Sequence, residues 1–156
     1  MRIYVASSWR NERRQQFAVR ALREAGHDVY DFRNPSPGDH GFSWRQCATS
    51  ASWRQCATSE QLKDPRRFRD EVLTHPIARA GFQKDITALR SSDCTVLVLP
   101  CGRSAHLELG LTRPCRTVVW LDDPISEPEL MYLACSNICV TIEEVIEACK
   151  TPGYTP

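Results

Sequence analysis

Short apolar runs and helix-spaced apolar stripes alternate along the chain. The short runs predict five strands, at 2–7, 27–32, 93–99, 115–123 and 137–142. Apolar residues spaced by three or four predict helices at 12–25, 66–73, 76–90, after Ser104, at 126–134 and at 143–150. This alternation predicts an α/β fold, a three-layer sandwich in which helices cover both faces of a five-stranded, mostly parallel sheet.

The first helix shows how the pattern assigns a buried face. Its apolar side chains recur at helical spacing and are expected to enter the core; they are Phe17, Ala18, Ala21, Leu22 and Ala25. Gly26 follows and ends the helix. With its flanking strands this helix forms a right-handed β-α-β unit.

The central strand, 93–99, is a nearly continuous apolar run, as expected for a strand covered on both faces. The loop PCGRS then leads to a helix for which Ser104 is the predicted N-cap. Glu108 is expected in the first turn, where the positive end of the helix favours an ionised carboxylate. Ligands bind at this carboxyl edge of such sheets.

Asp85, on the preceding helix, is expected to reach the same edge as Glu108. The two acids form a candidate pair, one as a nucleophile and the other to orient a substrate or transfer a proton. The alternative is that both are ordinary exposed acids on helices. His106 precedes Glu108 by two positions and points elsewhere on the helix, so we expect a rim residue and not a general base.

Two further segments contribute side chains to this edge. The loop after the first strand offers Ser8, Arg10 and backbone N–H groups at a helix start, which suit a phosphate or another anion. The alternative is a plain serine cap and a solvated arginine. Trp9, Phe42 and Trp44 are candidates for an aromatic face against a planar base, although aromatic residues more often lie in a core.

A tandem repeat follows the second strand. SWRQCATSA at 43–51 is followed by SWRQCATSE at 52–60. A nine-residue offset places the two copies on opposite faces of a helix or a strand, so they cannot make equivalent contacts on one regular element. We therefore predict a duplicated surface-loop insertion at 43–60.

Length, net charge, apolar runs and cysteine spacing limit the classes of protein to which this chain can belong. A length of 156 residues predicts one domain spanning 1–156, and the net charge of +1 gives no argument for binding nucleic acid or an acidic membrane. No apolar run reaches transmembrane length and the N-terminus starts as a strand, so a cytoplasmic protein is expected. The eight cysteines form no CxxC pair, which predicts reduced, mostly structural thiols. No metal ion and no organic cofactor are indicated.

Three segments together carry a resemblance. RIYVASSWRN, FQKDITALRSSDCTVLVLPCGRSAHLELG and DDPISEPELMYL resemble the nucleoside 2-deoxyribosyltransferase superfamily, in particular its members with a GRSAHLE motif. That superfamily includes deoxynucleoside 5′-monophosphate N-glycosidases and cytidylate hydrolases. The resemblance implies a flavodoxin-like (Rossmann-like) sheet, a homodimer or larger homo-oligomer, and a small-molecule nucleoside or nucleotide as substrate.

The resemblance also implies roles for individual residues. Glu108 matches the nucleophile that attacks C1′ of the sugar, expels the base and leaves a glycosyl-enzyme ester, which water or a second base resolves. Asp85 matches the residue that orients the sugar or handles the proton of the departing base. The substrate-binding positions implied or suggested for this edge are Ser8, Trp9, Arg10, Gly102, Ser104, Phe42 and Trp44. The doubled segment and the short helix ending before Pro114 depart from the family.

Two alternatives stay open beside this glycosidic enzyme. One is a TIR-like module that binds or cleaves NAD-like nucleotides, and the other is a catalytically inactive relative that serves in interactions. Arg10 with Ser8 favours a phosphorylated ligand, because a cationic fork requires an anion.

Overall fold

The computed structural model describes residues 1–42, 63–112 and 115–150. In these residues five strands occur: β1 (Arg2–Ala6), β2 (Asp28–Tyr30), β3 (Cys94–Val98), β4 (Arg116–Trp120) and β5 (Asn137–Cys139). The same part of the chain forms five α-helices: α1 (Glu12–Glu24), α2 (Pro65–Arg67), α3 (Pro76–Arg90), α4 (Arg103–Leu111) and α5 (Ile142–Lys150). A π-helical segment, Phe68–Val72, continues α2, and a 3-10 helix covers Leu130–Ala134.

The strands form one sheet in the order β2-β1-β3-β4-β5, and every neighbouring pair is parallel. The predicted α/β fold is confirmed, with a sheet that is parallel throughout instead of mostly. The order changes direction between β1 and β3. In sheets of this order, ligands bind in the crevice outside the carboxyl ends of the two strands at this switch point.

The chain divides into two compact units. The first unit contains residues 1–31 and 88–156, and the second contains residues 32–87. The whole sheet belongs to the first unit. The expectation of a single domain over residues 1–156 stays a prediction.

Both faces of the sheet are covered within the first unit. Side chains of β1, β3 and β4 such as Ile3, Val96 and Val118 share one core with α1 and α5. The alternate strand residues, among them Tyr4 and Leu97, are also fully buried. They point to the opposite face, where α4 packs on β1 and β3. The two helices α1 and α4 therefore lie on opposite faces.

The buried face of α1 differs from the prediction. Phe17 is 44% exposed, whereas Gln15 is completely buried together with Ala18, Val19 and Leu22. Residues 15, 18, 19 and 22 are spaced so that they share one face of the helix. Residue 17 lies on a different face. Gln15 donates to the Asp31 carboxylate at 2.8 Å, and this hydrogen bond satisfies its buried amide.

The segment after β4 also differs from the prediction. A helix over 126–134 with its cap at Ser126 or Glu127 is wrong, because the 3-10 helix begins at Leu130 with Glu129 as its N-cap. Pro128 disfavours helical backbone at the residue before it. Ser126 instead donates its backbone N–H and its hydroxyl to one oxygen of Asp122.

Two histidines are held in their neutral form by their surroundings. His75 accepts the backbone N–H of Ile77 through Nδ1 at 3.0 Å, so the uncharged ring caps the start of α3, and burial lowers its pKa. Burial, the N-terminal amine and Lys150 lower the pKa of His27. Neither ring nitrogen of His27 has a hydrogen-bond partner in the part of the chain that the structure describes.

A lowered histidine pKa makes stability depend on pH in a definite direction. The stabilisation is complete above the ordinary pKa of about 6.5 and is lost as the pH falls below it, because the unfolded chain binds protons that the folded chain resists. We expect the free energy of unfolding in urea to fall from pH 7.5 to pH 5.5. The fall should shrink in His27→Leu and in His75→Asn, and persist in the control His40→Gln. A pH-independent free energy of unfolding in this window would contradict this account.

Candidate active site

The loop between β1 and α1 is tied to the loop after β3. The Ser7 hydroxyl donates to the carbonyl of Val98 at 2.8 Å, and Asn11 Nδ2 donates to the carbonyl of Pro100 at 3.1 Å. Both loops therefore lie together at the carboxyl ends of β1 and β3, the switch point of the sheet. Asn11 is the N-cap position of α1, and sequence analysis did not single it out.

Three predicted site residues lie in this first loop. The Ser8 hydroxyl accepts the backbone N–H of Arg10 at 3.1 Å, which closes a local turn. Trp9 is 46% exposed, and the side chain of Arg10 also lies at the surface. The loop thus presents an indole ring and a guanidinium group at an edge of the sheet, while its backbone is held from below by Ser7 and Asn11.

The loop after β3 delivers the chain to α4 two residues earlier than predicted. Gly102 is the N-cap, with φ −97° and ψ −179°, and α4 begins at Arg103. The prediction of Ser104 as N-cap is wrong, because Ser104 already has helical backbone as the second residue of the helix. Gly102 and Ser104 nevertheless both lie where α4 meets the carboxyl end of β3.

Glu108 is the sixth residue of α4 and is half-buried. Its predicted place in the first turn is therefore wrong, and the first turn of α4 contains no acidic residue. The field of a helix end falls off within one turn, so the macrodipole contributes little to this carboxylate. Any activation of Glu108 has to come from its tertiary surroundings.

The pKa of the Cys101 thiol is set by burial and by two carboxylates at this edge of the sheet. Burial, together with the nearby carboxylates of Glu108 and Asp122, raises the pKa of this thiol to about 12. The thiol is therefore protonated at neutral pH and is not a competing nucleophile, since the thiolate is the reactive form. Glu108 and Asp122 both lie close enough to Cys101 to act on it.

Asp122 is an acidic residue at this edge that sequence analysis missed. It follows β4, and its Oδ2 accepts two hydrogen bonds from Ser126. Its Oδ1 is buried and has no hydrogen-bond partner in the described residues. The only sequence signal was its position just after a buried strand, which is the carboxyl edge of a parallel sheet.

His106 connects α4 with the 3-10 helix. Its Nδ1 lies 3.1 Å from the carbonyl oxygen of Gly102, which can only accept, so we assign the proton to Nδ1. Its Nε2 then accepts the hydroxyl of Tyr132 at 2.9 Å, and the two rings are nearly parallel. Burial raises the pKa of Tyr132 to about 12, which keeps this donor protonated. His106 is thus engaged at both nitrogens.

Two other predicted site residues share a cavity in the second unit. Phe42 and Asp85 line a cavity of about 540 Å³ together with Leu73, Ala78, Arg79, Phe82 and Gln83. Asp85 is half-buried on α3, and Phe42 provides an aromatic wall. A planar group with a polar substituent suits this combination of an aromatic ring and a carboxylate.

Phe42 packs directly on the backbone of α3 because residue 81 is glycine. A Cβ at Gly81 would lie 2.8 Å from the Cβ and ring atoms of Phe42. We predict that Gly81→Ala displaces the ring and weakens ligand binding in this cavity. The steric cost of about 1–3 kcal/mol offsets the gain in helix propensity of about 1 kcal/mol.

Gly110→Ala in α4 is the matched control for this substitution. Among the described residues, and apart from its own turn of helix, no atom lies within 4 Å of a Cβ at Gly110, so the alanine should raise the free energy of unfolding by about 0.5–1 kcal/mol. Urea denaturation and isothermal titration with a deoxynucleoside measure both effects. Equal stabilisation by both alanines, with binding unchanged in Gly81→Ala, would contradict the role of Gly81.

The predicted site residues are therefore divided between the two units. Ser8, Arg10 and Glu108 belong to the first unit, and Phe42 and Asp85 belong to the second. The meeting of Asp85 and Glu108 at one cleft stays a prediction. Trp44 and the duplicated insertion at 43–60 lie outside the described residues.

The described residues contain neither a metal-binding cluster nor a membrane-spanning helix. Among the residues that the structure describes, no group of three or more histidine, cysteine, aspartate or glutamate side chains could hold a metal ion. In the same residues, every helix is too short or too polar to cross a lipid bilayer.

The fold is similar to that of a solved enzyme. A 2-deoxyribosyltransferase from the psychrotolerant bacterium Bacillus psychrosaccharolyticus superimposes with a TM-score of 0.56 and 17% sequence identity. The match covers 94% of this chain and 90% of that one. That enzyme is characterised as a biocatalyst for the synthesis of antiviral and antitumoral nucleosides. At this identity the likeness shows the fold alone. No protein-family model and no curated protein sequence matches the chain.

Proposed function

We propose that this protein is an enzyme that breaks the N-glycosidic bond of a ribo- or deoxyribonucleoside or its 5′-monophosphate. The sugar passes to water or to a second base. The observation that carries the proposal is the position of Glu108, half-buried on the helix that follows the central strand, in a fold similar to that of a 2-deoxyribosyltransferase. The protonated thiol of Cys101 does not compete with Glu108 as a nucleophile at this edge.

In the proposed reaction a Glu108 carboxylate oxygen attacks C1′ of the bound sugar. The C1′–N bond breaks, its electron pair leaves with the base, and the base takes up a proton. A glycosyl ester of Glu108 remains. Water, or a nitrogen of a second base, then attacks C1′ and displaces the Glu108 carboxylate. Splitting the displacement into two steps in this way is the general advantage of covalent catalysis.

Asp85 is proposed to orient the sugar or to supply the proton that the departing base takes up. Its place in a cavity beside Phe42 supports this role, because an aromatic wall can stack on a base while a carboxyl group contacts its edge. Trp9 is proposed as a second aromatic contact. Gly102 and Ser104 are proposed to contact the substrate from the start of α4.

The first loop is proposed to hold the 5′-phosphate. Ser8 and Arg10 lie beside the start of α1, and a guanidinium group binds phosphate as a planar fork. This requirement for an anion favours a nucleoside 5′-monophosphate over a free nucleoside as the better substrate.

We also propose that the enzyme acts as a homodimer or a larger homo-oligomer. Several large apolar side chains of α4 and the 3-10 helix are exposed in the single chain; they are Leu107, Leu111, Leu130, Met131 and Leu133. Clusters of exposed apolar side chains are typical of surfaces that another protein covers.

Base release from matched pairs of nucleosides and 5′-monophosphates tests the substrate class. We expect Arg10→Ala to weaken the binding of a monophosphate by about 10- to 100-fold, the loss of a charge-assisted contact, and to leave the nucleoside nearly unchanged. Chromatography of the free base and isothermal titration measure both quantities. Arg90→Ala, an exposed arginine on α3, is the control. Equal losses for both ligands would mean that Arg10 supports the loop and does not bind phosphate.

A further inference from the structure

The outer side of α1 carries a cluster of arginine and aromatic side chains that the proposed reaction does not use. A cavity of about 720 Å³ lies here, lined by Arg13, Arg14, Arg20, Phe17 and Trp120, with Glu12 and Gln16 at its border. α1 covers the face of the sheet opposite to α4, which carries Glu108. The cavity is therefore a feature separate from the catalytic helix.

The positive charges of this cavity are only partly offset by nearby carboxylates. In the described part of the chain, no carboxylate lies within ion-pair distance of Arg13, Arg14 or Arg20. Glu12 is the one carboxylate in the lining. Asp122 and Asp123 act on Arg14 from outside the lining, so the positive charge that stays least compensated is that of Arg13 and Arg20. An anion would be attracted to it, and guanidinium forks match phosphate and carboxylate oxygens in geometry.

Trp120 is the centre of the aromatic part of the cavity, with a guanidinium group over its ring and a second aromatic ring beside it. The Arg14 guanidinium lies 3.7 Å from the centroid of the Trp120 ring, and Phe17 lies beside that ring at 6.2 Å between centroids. Phe17 is 44% exposed, which leaves one ring available to solvent. Planar rings stack on exposed aromatic side chains and on guanidinium planes alike.

Arg14 is held in place and partly dehydrated. Its Nη2 donates to the carbonyl of Leu121, and its Nε is buried with no hydrogen-bond partner in the described residues. Burial lowers the pKa of Arg14 against the opposing effect of Asp122 and Asp123. A cation in this state gains from a nearby anion more than a fully hydrated one does.

We propose that this cavity is a second binding site, for a nucleotide whose phosphate contacts Arg13 and Arg20 and whose base stacks on Phe17 and Arg14. A phosphate without a ring leaves the aromatic wall unused, and a ring without a phosphate leaves the arginines unpaired. The helix spacing supports this division, because Arg13, Phe17 and Arg20 stand at i, i+4 and i+7 on one face of α1. The aromatic residue thus lies between the two outer arginines.

The test is isothermal titration of the full chain with AMP, adenosine and inorganic pyrophosphate. The background variant Arg10→Ala/Glu108→Gln weakens binding at the proposed catalytic edge, so that the remaining AMP binding reports on α1. We expect Arg13→Ala/Arg20→Ala in that background to weaken AMP at least tenfold. Phe17→Ser should weaken AMP but not pyrophosphate, and Arg66→Ala, an exposed arginine on α2, should change nothing. Adenosine should bind weakly or not at all.

A second measurement leaves the arginines and Phe17 of the cavity unchanged and uses a variant of Trp120 only to assign its resonance. Addition of AMP to the unsubstituted chain should shift the indole N–H resonance of Trp120, assigned by its loss in Trp120→Phe. Residual AMP binding that is unaffected by Arg13→Ala/Arg20→Ala, or an unmoved Trp120 resonance at saturation, overturns the proposal. Because both measurements record binding on α1, they are independent of whether the protein releases a base.

Discussion

Replacing Glu108 by glutamine should abolish base release while the fold and ligand binding survive. Glutamine keeps the size and most of the polarity of the side chain but cannot form the glycosyl ester. Loss of a covalent nucleophile typically lowers kcat by about a thousandfold or more. We expect this loss in an assay that separates free base from substrate by chromatography, with an unchanged circular dichroism spectrum.

Mass spectrometry of the quenched reaction provides an independent reading of the same step. The unsubstituted protein should carry the added mass of the sugar on the peptide that contains Glu108, and the glutamine variant should not. Glu143→Gln, an exposed acid in the first turn of α5, is the matched control and should keep full activity. Near-complete base release by Glu108→Gln would sink the assignment of the nucleophile.

The second large effect is expected at Gln15, in the core of the first unit. Gln15 is completely buried and donates to Asp31, which is itself buried and also accepts a hydrogen bond from Gln16. Gln15→Leu retains the volume but leaves a buried carboxylate without one of its donors. Such a loss costs about 2–3 kcal/mol, because the buried carboxylate keeps the hydrogen bond from Gln16 but loses the one from Gln15 and cannot replace it with water.

Urea denaturation of the variant, with the slope m compared to the parent, measures this cost. Gln83→Leu is the control, because Gln83 is exposed on α3 and donates to the neighbouring Thr87 hydroxyl at the surface. A double-mutant cycle with Asp31→Asn should show that the two substitutions are coupled. If Gln15→Leu costs less than about 0.5 kcal/mol, the buried amide does not stabilise Asp31.

The architecture could be predicted from local patterns because each element carries its own signal. The run CTVLV of β3 is entirely buried, as a continuous apolar stretch predicts for a strand covered on both faces. The helix predicted from Pro76 to Arg90 has these same bounds in the structure. Proline at a helix start and apolar side chains at helical spacing act within a few residues of themselves, so no distant partner is needed to read them.

The candidate site was predicted in part. Placing Glu108 on the helix after the central strand required only the order of the elements, and that order is as predicted. Its position within the helix was wrong by two residues, because the N-cap is Gly102 and not Ser104. Serine has the higher preference for this position, but the extended backbone of Gly102 decides where the helix begins.

The sequence by itself determined the α/β alternation and the buried strands, since these depend on local composition and spacing. Only the tertiary structure decided which side of α1 is buried: Gln15 faces the core and donates to Asp31, whereas Phe17 faces solvent. It also decided that Asp122, far along the chain from Glu108, acts on the same thiol. The reason is that hydropathy assigns each residue to the core or the surface separately, without regard to its partners. A buried polar group is stable only when a partner from another element satisfies it.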